Sequence, residues 1–260
     1  MKITVLGSGT AAIRKERGSP VFLIEAGPTK LLLDCGWSAG TNLVRAGYEP
    51  QQIDHIFISH PHADHMGNLI NFIQSNLVTG YYWPKKKRTR ALYLHGYKGF
   101  KKDYELLRKI MHPERKEKYP IKVLEYSNHH RDFKGIRVFG HEIKHVPYFS
   151  AASFRIEYKG RVVAYSGDCA FDRSLIKISR NANLAMYDCS TTPKAYREHG
   201  PAASHMSPYE CGMIANEANV KKLLPWHLYD NATGAEIRNE IKKNFRGQII
   251  IPKDFQVINI

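Results

Sequence analysis

The chain has 260 residues, 43% of them hydrophobic and 24% charged, which excludes a disordered or collagen-like protein and favours a single globular domain. The longest apolar runs, such as Leu31-Leu32-Leu33, are far shorter than the roughly 18 residues that a membrane span requires. Gly7 interrupts the N-terminal apolar residues before a secretory segment forms. We therefore expect a cytoplasmic protein with no membrane partner.

The net charge is unusual, because 39 Lys and Arg against 24 Asp and Glu give a formal charge of +15. The excess concentrates between Pro84 and Lys118, where 13 basic residues face 4 acidic ones. Many basic proteins are merely soluble, but a concentrated excess favours a polyanionic partner, of which nucleic acid is the commonest. No C-x-x-C pair occurs, so buried free thiols are expected at the four cysteines, Cys35, Cys169, Cys189 and Cys211.

Hydrophobic periodicity predicts two strand-rich blocks, each followed by helices. The first block has strands at Lys2–Leu6, Pro20–Ala26, Lys30–Asp34 and Ile53–Ser59, a short helix at Asn42–Ala46, a helix at Gly67–Val78, a strand at Ala91–His95 and a helix at Lys98–Met111. In that last helix, Leu106, Leu107 and Ile110 are predicted to face the core. The second block has strands at Lys122–Tyr126, Ile136–Val146, Phe154–Tyr158, Arg161–Tyr165 and Leu184–Tyr187.

The chain closes with a helix at Pro208–Ala218 that Ser207 caps, a strand at Lys221–Pro225, a helix at Ala235–Asn244 and strands within Ile249–Ile260. This order predicts an α/β fold in which two mixed sheets face each other with helices outside.

The candidate chemistry concentrates in the run His60-Pro61-His62-Ala63-Asp64-His65, directly after a predicted strand. Residues two apart in an extended chain point to the same side, so His60 and His62 suit one metal ion. Asp64 and His65 lie where the chain turns into the next helix and suit a second ion nearby. Imidazole and carboxylate ligands favour Zn²⁺, with Mn²⁺ or Fe²⁺ as alternatives.

This run resembles the signature of the metallo-β-lactamase-fold hydrolases, and further landmarks appear in the order of that family. These landmarks are Gly7-Ser8-Gly9-Thr10, Leu32-Leu33-Asp34-Cys35-Gly36, His145-Val146-Pro147, Ser166-Gly167-Asp168 and His227. The resemblance covers nearly the whole chain. It implies an αββα sandwich with a site for two metals between the sheets, in one domain spanning residues 1–260 with a basic helical insertion at about 81–120.

The resemblance also implies the ligand sets. One ion would take His60, His62 and His145, the other would take Asp64, His65 and His227, and Asp168 would bridge them. Each ion then has room for water and substrate, as a catalytic site requires. Asp34 is expected to orient a ligand histidine, and His141 competes with His145 for the third position.

A second pattern, Ala203-Ser204-His205-Met206-Ser207 with Glu210 in the following helix, resembles the tRNase Z branch of this fold. There the additional histidine assists phosphoryl transfer, so His205 and Asp64 are the expected catalytic residues, although His205 could merely cap the helix. The resemblance implies an endoribonuclease that leaves 3′-hydroxyl and 5′-phosphate ends. RNA, such as a tRNA precursor, is then the expected partner, and a homodimer is also expected.

One feature departs from tRNase Z, because only 22 residues separate His145 from Asp168, too few for the long arm that grips tRNA. The run Lys85-Lys86-Lys87-Arg88, near Trp83 and several tyrosines, offers another RNA grip, unless it is merely a solvated charged surface. Three alternatives therefore stay open. They are a phosphodiesterase for cyclic nucleotides or cyclic phosphates, a lactam, lactone or thioester hydrolase, and a zinc-dependent RNA-binding module without activity.

Overall fold

The computed structural model describes residues 1–114 and 117–260, so positions 115 and 116 of the basic stretch lie outside the described residues. Within this part, the strands are β1 (Lys2–Gly7), β2 (Val21–Ala26), β3 (Thr29–Leu33), β4 (His55–Ile58), β5 (Leu92–Gly96), β6 (Ile121–Glu125), β7 (His129–Phe133), β8 (Ile136–Ile143), β9 (Ala151–Tyr158), β10 (Arg161–Tyr165), β11 (Leu184–Asp188), β12 (Lys222–Trp226), β13 (Gln248–Ile249) and β14 (Val257–Asn259). The helices are α1 (Ala39–Arg45), α2 (Ala63–Met66), α3 (Leu69–Tyr82), α4 (Phe100–Met111), α5 (Ser174–Ser179), α6 (Pro193–His199), α7 (Pro208–Glu217) and α8 (Gly234–Ile241), with 3₁₀ turns at Pro50–Gln52 and Pro84–Lys86.

The strands form two seven-stranded mixed sheets. The first has the order β14-β1-β2-β3-β4-β5-β6, and the second has the order β13-β12-β11-β10-β9-β8-β7. Strands β3 to β6 run parallel, as do β10 to β13, while the remaining neighbours are antiparallel. The sandwich of two mixed sheets with flanking helices, predicted from the sequence, is confirmed.

The central strands are buried and mostly apolar because both of their faces are covered. Strand β4 is buried at every position, and helices α5, α7 and α8 pack on the outer side of the second sheet. Between the sheets, Phe22 meets Trp226 at a ring-centroid distance of 5.7 Å, and Trp226 stacks on Tyr165 at 4.9 Å. These rings join the two sheets directly beneath the edge where the metal-motif residues emerge.

Helix α4 is oriented differently from the sequence prediction. Leu107 is partly buried and packs against the core, as predicted, but Leu106 and Ile110 are 57% and 70% exposed, so their predicted inward orientation is wrong. The buried face carries Phe100, Tyr104 and Arg108 instead. The rings of Phe100 and Tyr104 pack into the core, and Arg108 is neutralised there by Glu117 at 2.7 Å.

The basic region at about 81–120 is integrated into the sandwich, because its strand β5 lies between β4 and β6 in the first sheet. Strand β7 and helices α5 and α6 were not predicted, since their sequences lack a clear apolar period. The four cysteines are free and buried, as expected. None of the helices in the described ranges combines the length and apolar character that crossing a membrane requires.

Candidate metal centre

The segment that follows β4 is hydrogen-bonded to the segment that follows β3. The backbone N–H of Cys35 donates to the carbonyl of His65 at 2.7 Å. Glycine is required between these turns, because a Cβ on Gly36 would stand 1.7 Å from the carbonyl oxygen of Asp64. The close approach of the two backbones therefore fixes the positions of the candidate ligands Asp64 and His65.

The first group of candidate ligands converges at the carboxyl ends of β4, β8 and β10. One ligand atom from each member lies within 4.8 Å of the others, and the members are His60, His62, His145 and Asp168. Nε2 of His60 is 2.9 Å from Nδ1 of His62, which is 3.4 Å from Nε2 of His145. Burial and the neighbouring His65 lower the pKa of His60 well below its ordinary value, so this ring stays neutral, as a metal ligand must.

The second group consists of Asp64, His65 and His227, again within 4.8 Å of one another. Nε2 of His227 is 3.2 Å from Asp64 and 3.3 Å from Asp168, and Nε2 of His65 is 3.3 Å from Asp168. Asp168 thus contacts both groups. Although burial alone would raise its pKa, His227 and His65 hold the pKa of Asp168 well below its usual range, so it stays an anion.

These residues fit a pair of divalent cations. A tetrahedral zinc ion with bonds of about 2.0–2.1 Å separates its ligand atoms by about 3.3–3.4 Å, which matches the spacing in the second group. Nε2 of His65 and Oδ1 of Asp168 are buried without a hydrogen-bond partner in the described residues. A cation bound between these two buried atoms would give both of them a partner.

The buried carboxylate of Asp34 orients His65. Its Oδ2 accepts a hydrogen bond from Nδ1 of His65 at 2.7 Å and one from the hydroxyl of Tyr165, while Oδ1 accepts from the N–H of Ser59 at 2.7 Å. Because Nδ1 carries the proton, Nε2 of His65 keeps a lone pair for a metal. Asp34 and His227 both have positive φ, 58° and 62°, backbone conformations that are uncommon outside glycine and cluster at functional sites.

His145 occupies the third-motif position, and its ring is fixed by a hydrogen bond from Nδ1 to the carbonyl of Ser204 at 2.9 Å. His141 lies on strand β8, opposite Ser153 of β9, and is not a member of any ligand group among the described residues. The structure therefore favours His145 over His141.

His205 lies beside both groups. A ring nitrogen of His205 is within 4.8 Å of ligand atoms of Asp168 and His227, and its ring stacks on His227 at 5.3 Å. The start of α7 holds this segment in place, since the N–H and hydroxyl of Ser207 donate to Glu210 in a capping box. The predicted N-cap at Ser207 is confirmed.

Sequence reasoning missed Asp188, a fully buried residue at the end of β11. Its Oδ2 accepts a hydrogen bond from Nδ1 of His205 at 2.7 Å, which leaves Nε2 of His205 available to a substrate. Burial alone would lower the pKa of His205, but the charge of Asp188 outweighs it and raises the pKa to about 9. Asp188 follows four apolar residues of a buried strand, and that position was its only signal.

Ser190 was also missed, and it connects Asp188 to the metal centre. Its hydroxyl donates to Oδ1 of Asp188 at 2.7 Å and accepts a hydrogen bond from Nδ1 of His227. That contact directs Nε2 of His227 towards Asp64 and Asp168. One buried carboxylate therefore supports both a ligand histidine and His205.

The structure separates the predicted RNA-binding residues. Lys85, Lys86 and Lys87 are exposed around the Pro84–Lys86 turn, and Lys86 pairs with Glu49. Arg88 is only 3% exposed, and its guanidinium donates to four backbone carbonyls, those of Gln51, Ile53, Arg90 and Ala91. It stabilises the fold there, so we do not assign Arg88 to a phosphate grip.

Comparison with known proteins places the chain among its relatives. The family model described as Anti-Pycsar protein Apyc1 matches residues 1–204. The chain belongs to the Apyc1 family. The probable metallo-hydrolase YhfI of Bacillus subtilis is 27% identical over 254 residues, which cover 97% of each chain. The crystal structure of YhfI, a metallo-β-lactamase fold protein, superposes with a TM-score of 0.81 at 24% identity, over 99% of this chain and 98% of that one.

Ribonuclease Z relatives also match the Apyc1-family chain along its length. The ribonuclease Z of Archaeoglobus fulgidus is 26% identical over 303 aligned positions, covering 100% of this chain and 97% of the relative. The short form of human tRNase Z has the same fold, with a TM-score of 0.78 at 18% identity over 100% and 99% of the two chains. The resemblance to the metallo-β-lactamase fold and its ribonuclease Z branch is confirmed, and these relatives support the prediction of a metal-dependent hydrolase.

Proposed function

We propose that the protein is a phosphodiesterase that requires two divalent cations, with Zn²⁺ as the expected metal, and that its substrate is a small phosphodiester such as a cyclic nucleotide. The observation that carries this proposal is the pair His205–Asp188, which places a supported imidazole beside two converging ligand groups. When bound, the cations would activate water and neutralise charge on the phosphoryl oxygens.

The chain's own residues then account for the remaining steps. The ligand groups direct the phosphate to the edge where β4, β8, β10 and β12 end, and His205 stands at the side of that position. As a P–O bond to water forms, the P–O bond to the 3′ oxygen breaks, and Nε2 of His205 supplies the proton that the departing oxygen takes up. Asp188 holds the ring in the orientation that this transfer needs.

Loop length supports a small substrate. Strands β8 and β9 are joined by residues 144–150 alone, and this loop carries His145, so no long arm emerges there. The alignment with the Archaeoglobus ribonuclease Z places 260 residues in 303 positions, so about 43 positions have no counterpart in this chain, whereas YhfI aligns over 254 positions covering 97% of both chains.

The test compares two leaving groups on metal-loaded protein. His205→Ala should keep its metal, since His205 belongs to neither of the two main ligand groups, and should hydrolyse a 3′,5′-cyclic nucleotide roughly 10²-fold or more slowly. It should cleave bis(4-nitrophenyl) phosphate at nearly the parental rate, because nitrophenolate departs without a proton. Loss of metal, or equal losses on both substrates, would show that His205 is not the proton donor.

RNA cleavage of the tRNase Z type, leaving 3′-hydroxyl and 5′-phosphate ends, is the second candidate, and one surface favours it. Next to the exposed lysines Lys85, Lys86 and Lys87, three rings are strongly exposed, Tyr81, Tyr82 and Trp83, at 77%, 68% and 58%. Cations that bind phosphates beside rings that stack on unpaired bases are typical of single-strand binding.

The exposed Leu106 and Ile110 support the homodimer that the resemblance implies.

Replacing the three lysines by Gln discriminates between these candidates. If RNA is the substrate, RNA binding should weaken, and the slope of log affinity against log salt should fall by roughly 0.7 for each phosphate that the variant no longer neutralises. Hydrolysis of a small diester should be unchanged. Unchanged RNA binding would remove the RNA candidate, and equal loss on both substrates would mean that this segment supports the fold.

A further inference from the structure

A cleft opens beside the metal centre on the side of His145. Its volume is about 780 Å³, within the range of roughly 300–1,000 Å³ typical of ligand sites, and its lining includes Lys144, His145, Tyr148, Phe149 and Asp172. His62 is exposed, while most of the other candidate ligands are buried. The metal centre is therefore most accessible at the corner that adjoins this cleft.

Phe149 forms the wall between the cleft and the first ligand group. Its ring lies 5.8 Å from that of His60 and nearly parallel to it, at 21°, and it meets the ring of His62 edge-on at 4.9 Å. Phe149 is half-buried, so one side packs on the ligand histidines while the rest of the ring remains accessible. An apolar plane thus begins directly beside the position of the phosphate.

Tyr148 extends this surface. It is 86% exposed and has no ring partner among the described residues, although it stands three residues from the ligand His145. Lys144, on the same loop, adds an exposed positive charge at the cleft. A loop of seven residues that presents a cation, a metal ligand and two rings lining one cleft can bind a phosphate, and beside it a planar group.

We propose that Tyr148 and Phe149 form a stacking platform for the base of a nucleotide whose phosphate lies at the metal centre. This inference rests on the proposed phosphodiesterase function and extends it, because it makes the base, rather than the phosphate alone, a determinant of affinity. Stacking is tolerant of base identity, since every base offers a planar face. The platform therefore selects nucleotides over diesters without a base, and does not select one base.

Direct binding tests the platform without turnover. The probes are adenosine 5′-monophosphate and ribose 5-phosphate, which share a sugar phosphate and differ in the base, titrated into metal-loaded protein by calorimetry. Stacking contributes roughly 5- to 150-fold in affinity per base, so the parent should prefer the nucleotide by at least about fivefold. Tyr148→Ala should reduce this preference by at least about threefold, whereas Tyr148→Phe should keep it.

Phe149→Leu, accepted only if its metal content is parental, should reduce the preference in the same way. Phe255→Leu replaces a partly exposed ring that lies outside this cleft and should leave the preference unchanged. A parent that binds both probes equally, or a Tyr148→Ala variant that keeps the full preference, would overturn the platform. Neither result bears on diester hydrolysis, which is measured separately on the parent, so failure of the platform and failure of the proposed function remain distinguishable.

Discussion

Asp188→Asn is the most informative single substitution, because it changes a charge without changing size. In the parent, Oδ2 of Asp188 accepts hydrogen bonds from His205 at 2.7 Å and from the N–H of Cys169 at 3.0 Å, and Oδ1 accepts from Ser190. All of these partners donate. An amide nitrogen at either position would face a donor, so the variant cannot form at least one of these hydrogen bonds.

The expected magnitude follows from the bond that orients His205. A hydrogen bond to a charged group contributes about 1.5–3 kcal/mol, and each 1.36 kcal/mol is a factor of ten in rate, so the loss should be roughly 10- to 150-fold on a cyclic nucleotide. The loss on bis(4-nitrophenyl) phosphate should be much smaller, since its leaving group needs no proton. A variant that merely unfolds the site would lose both activities together.

Ser190→Ala provides the matched control. The hydroxyl of Ser190 contacts His227, a candidate ligand, whereas Asp188 accepts a hydrogen bond directly from His205. We expect this variant to lower metal affinity by roughly 10- to 100-fold, as removal of a ligand-orienting partner typically does, and to regain activity at saturating metal. Because Asp188 also supports His227 through Ser190, the two substrates are compared at saturating metal. If Asp188→Asn then affects both substrates equally, Asp188 acts only through the metals and our assignment of its role is wrong.

Three further predictions concern the metals and the fold. Purified protein should contain about two divalent cations per chain, and chelation should remove them together with activity; an active protein without transition metal would contradict the ligand assignment. Gly36→Ala should lower the free energy of unfolding by more than about 2 kcal/mol and weaken metal binding, because its Cβ would collide with Asp64; unchanged denaturant melting would refute this. Burial lowers the pKa of His55 to about 4, so below pH 6.5 the unfolded chain takes up a proton at this residue that the folded chain does not. In EDTA, the contribution of neutral His55 to the free energy of unfolding should therefore be complete above pH 6.5 and fall by about 3 kcal/mol as the pH drops towards 4. His55→Gln should flatten this dependence.

Much of the sandwich could be predicted because its strands are short apolar segments bounded by turns. Strands β1 to β6 and β8 to β12 lie within a few residues of their predicted positions, although β6, predicted in the second block, belongs to the first sheet. The metal motif was recognisable for a similar reason, since ligands for one ion crowd into six consecutive residues. Strand β7 shows the limit, because its sequence His129–Phe133 is mostly polar and forms a strand only through pairing with β8.

Residues whose role depends on distant neighbours were not predictable. Asp188 lies on a strand 17 residues before His205, and only the fold shows that its carboxylate orients that ring. Arg88 is a basic residue that follows three lysines in the sequence, yet its guanidinium is buried and donates to backbone carbonyls, including that of Ile53. Local periodicity likewise could not decide which side of α4 faces the core. In each case the deciding partner comes from another part of the chain.

The net charge of +15 does not by itself choose between a small diester and RNA. Both substrates are anions, and a strongly basic protein attracts either one by long-range steering. What differs is the number of phosphates that bind at once, because a cyclic nucleotide offers one charge to the metal centre while an RNA strand offers several to a surface. The cleft of about 780 Å³ that the loop 144–150 lines is a candidate for the first kind of binding, and the Lys85–Lys87 surface is a candidate for the second. The salt dependence of binding therefore distinguishes the two substrates. If the slope of log affinity against log salt corresponds to about one neutralised phosphate, recognition takes place at the cleft. If the slope is steep and the lysine substitutions flatten it, recognition takes place on the Lys85–Lys87 surface.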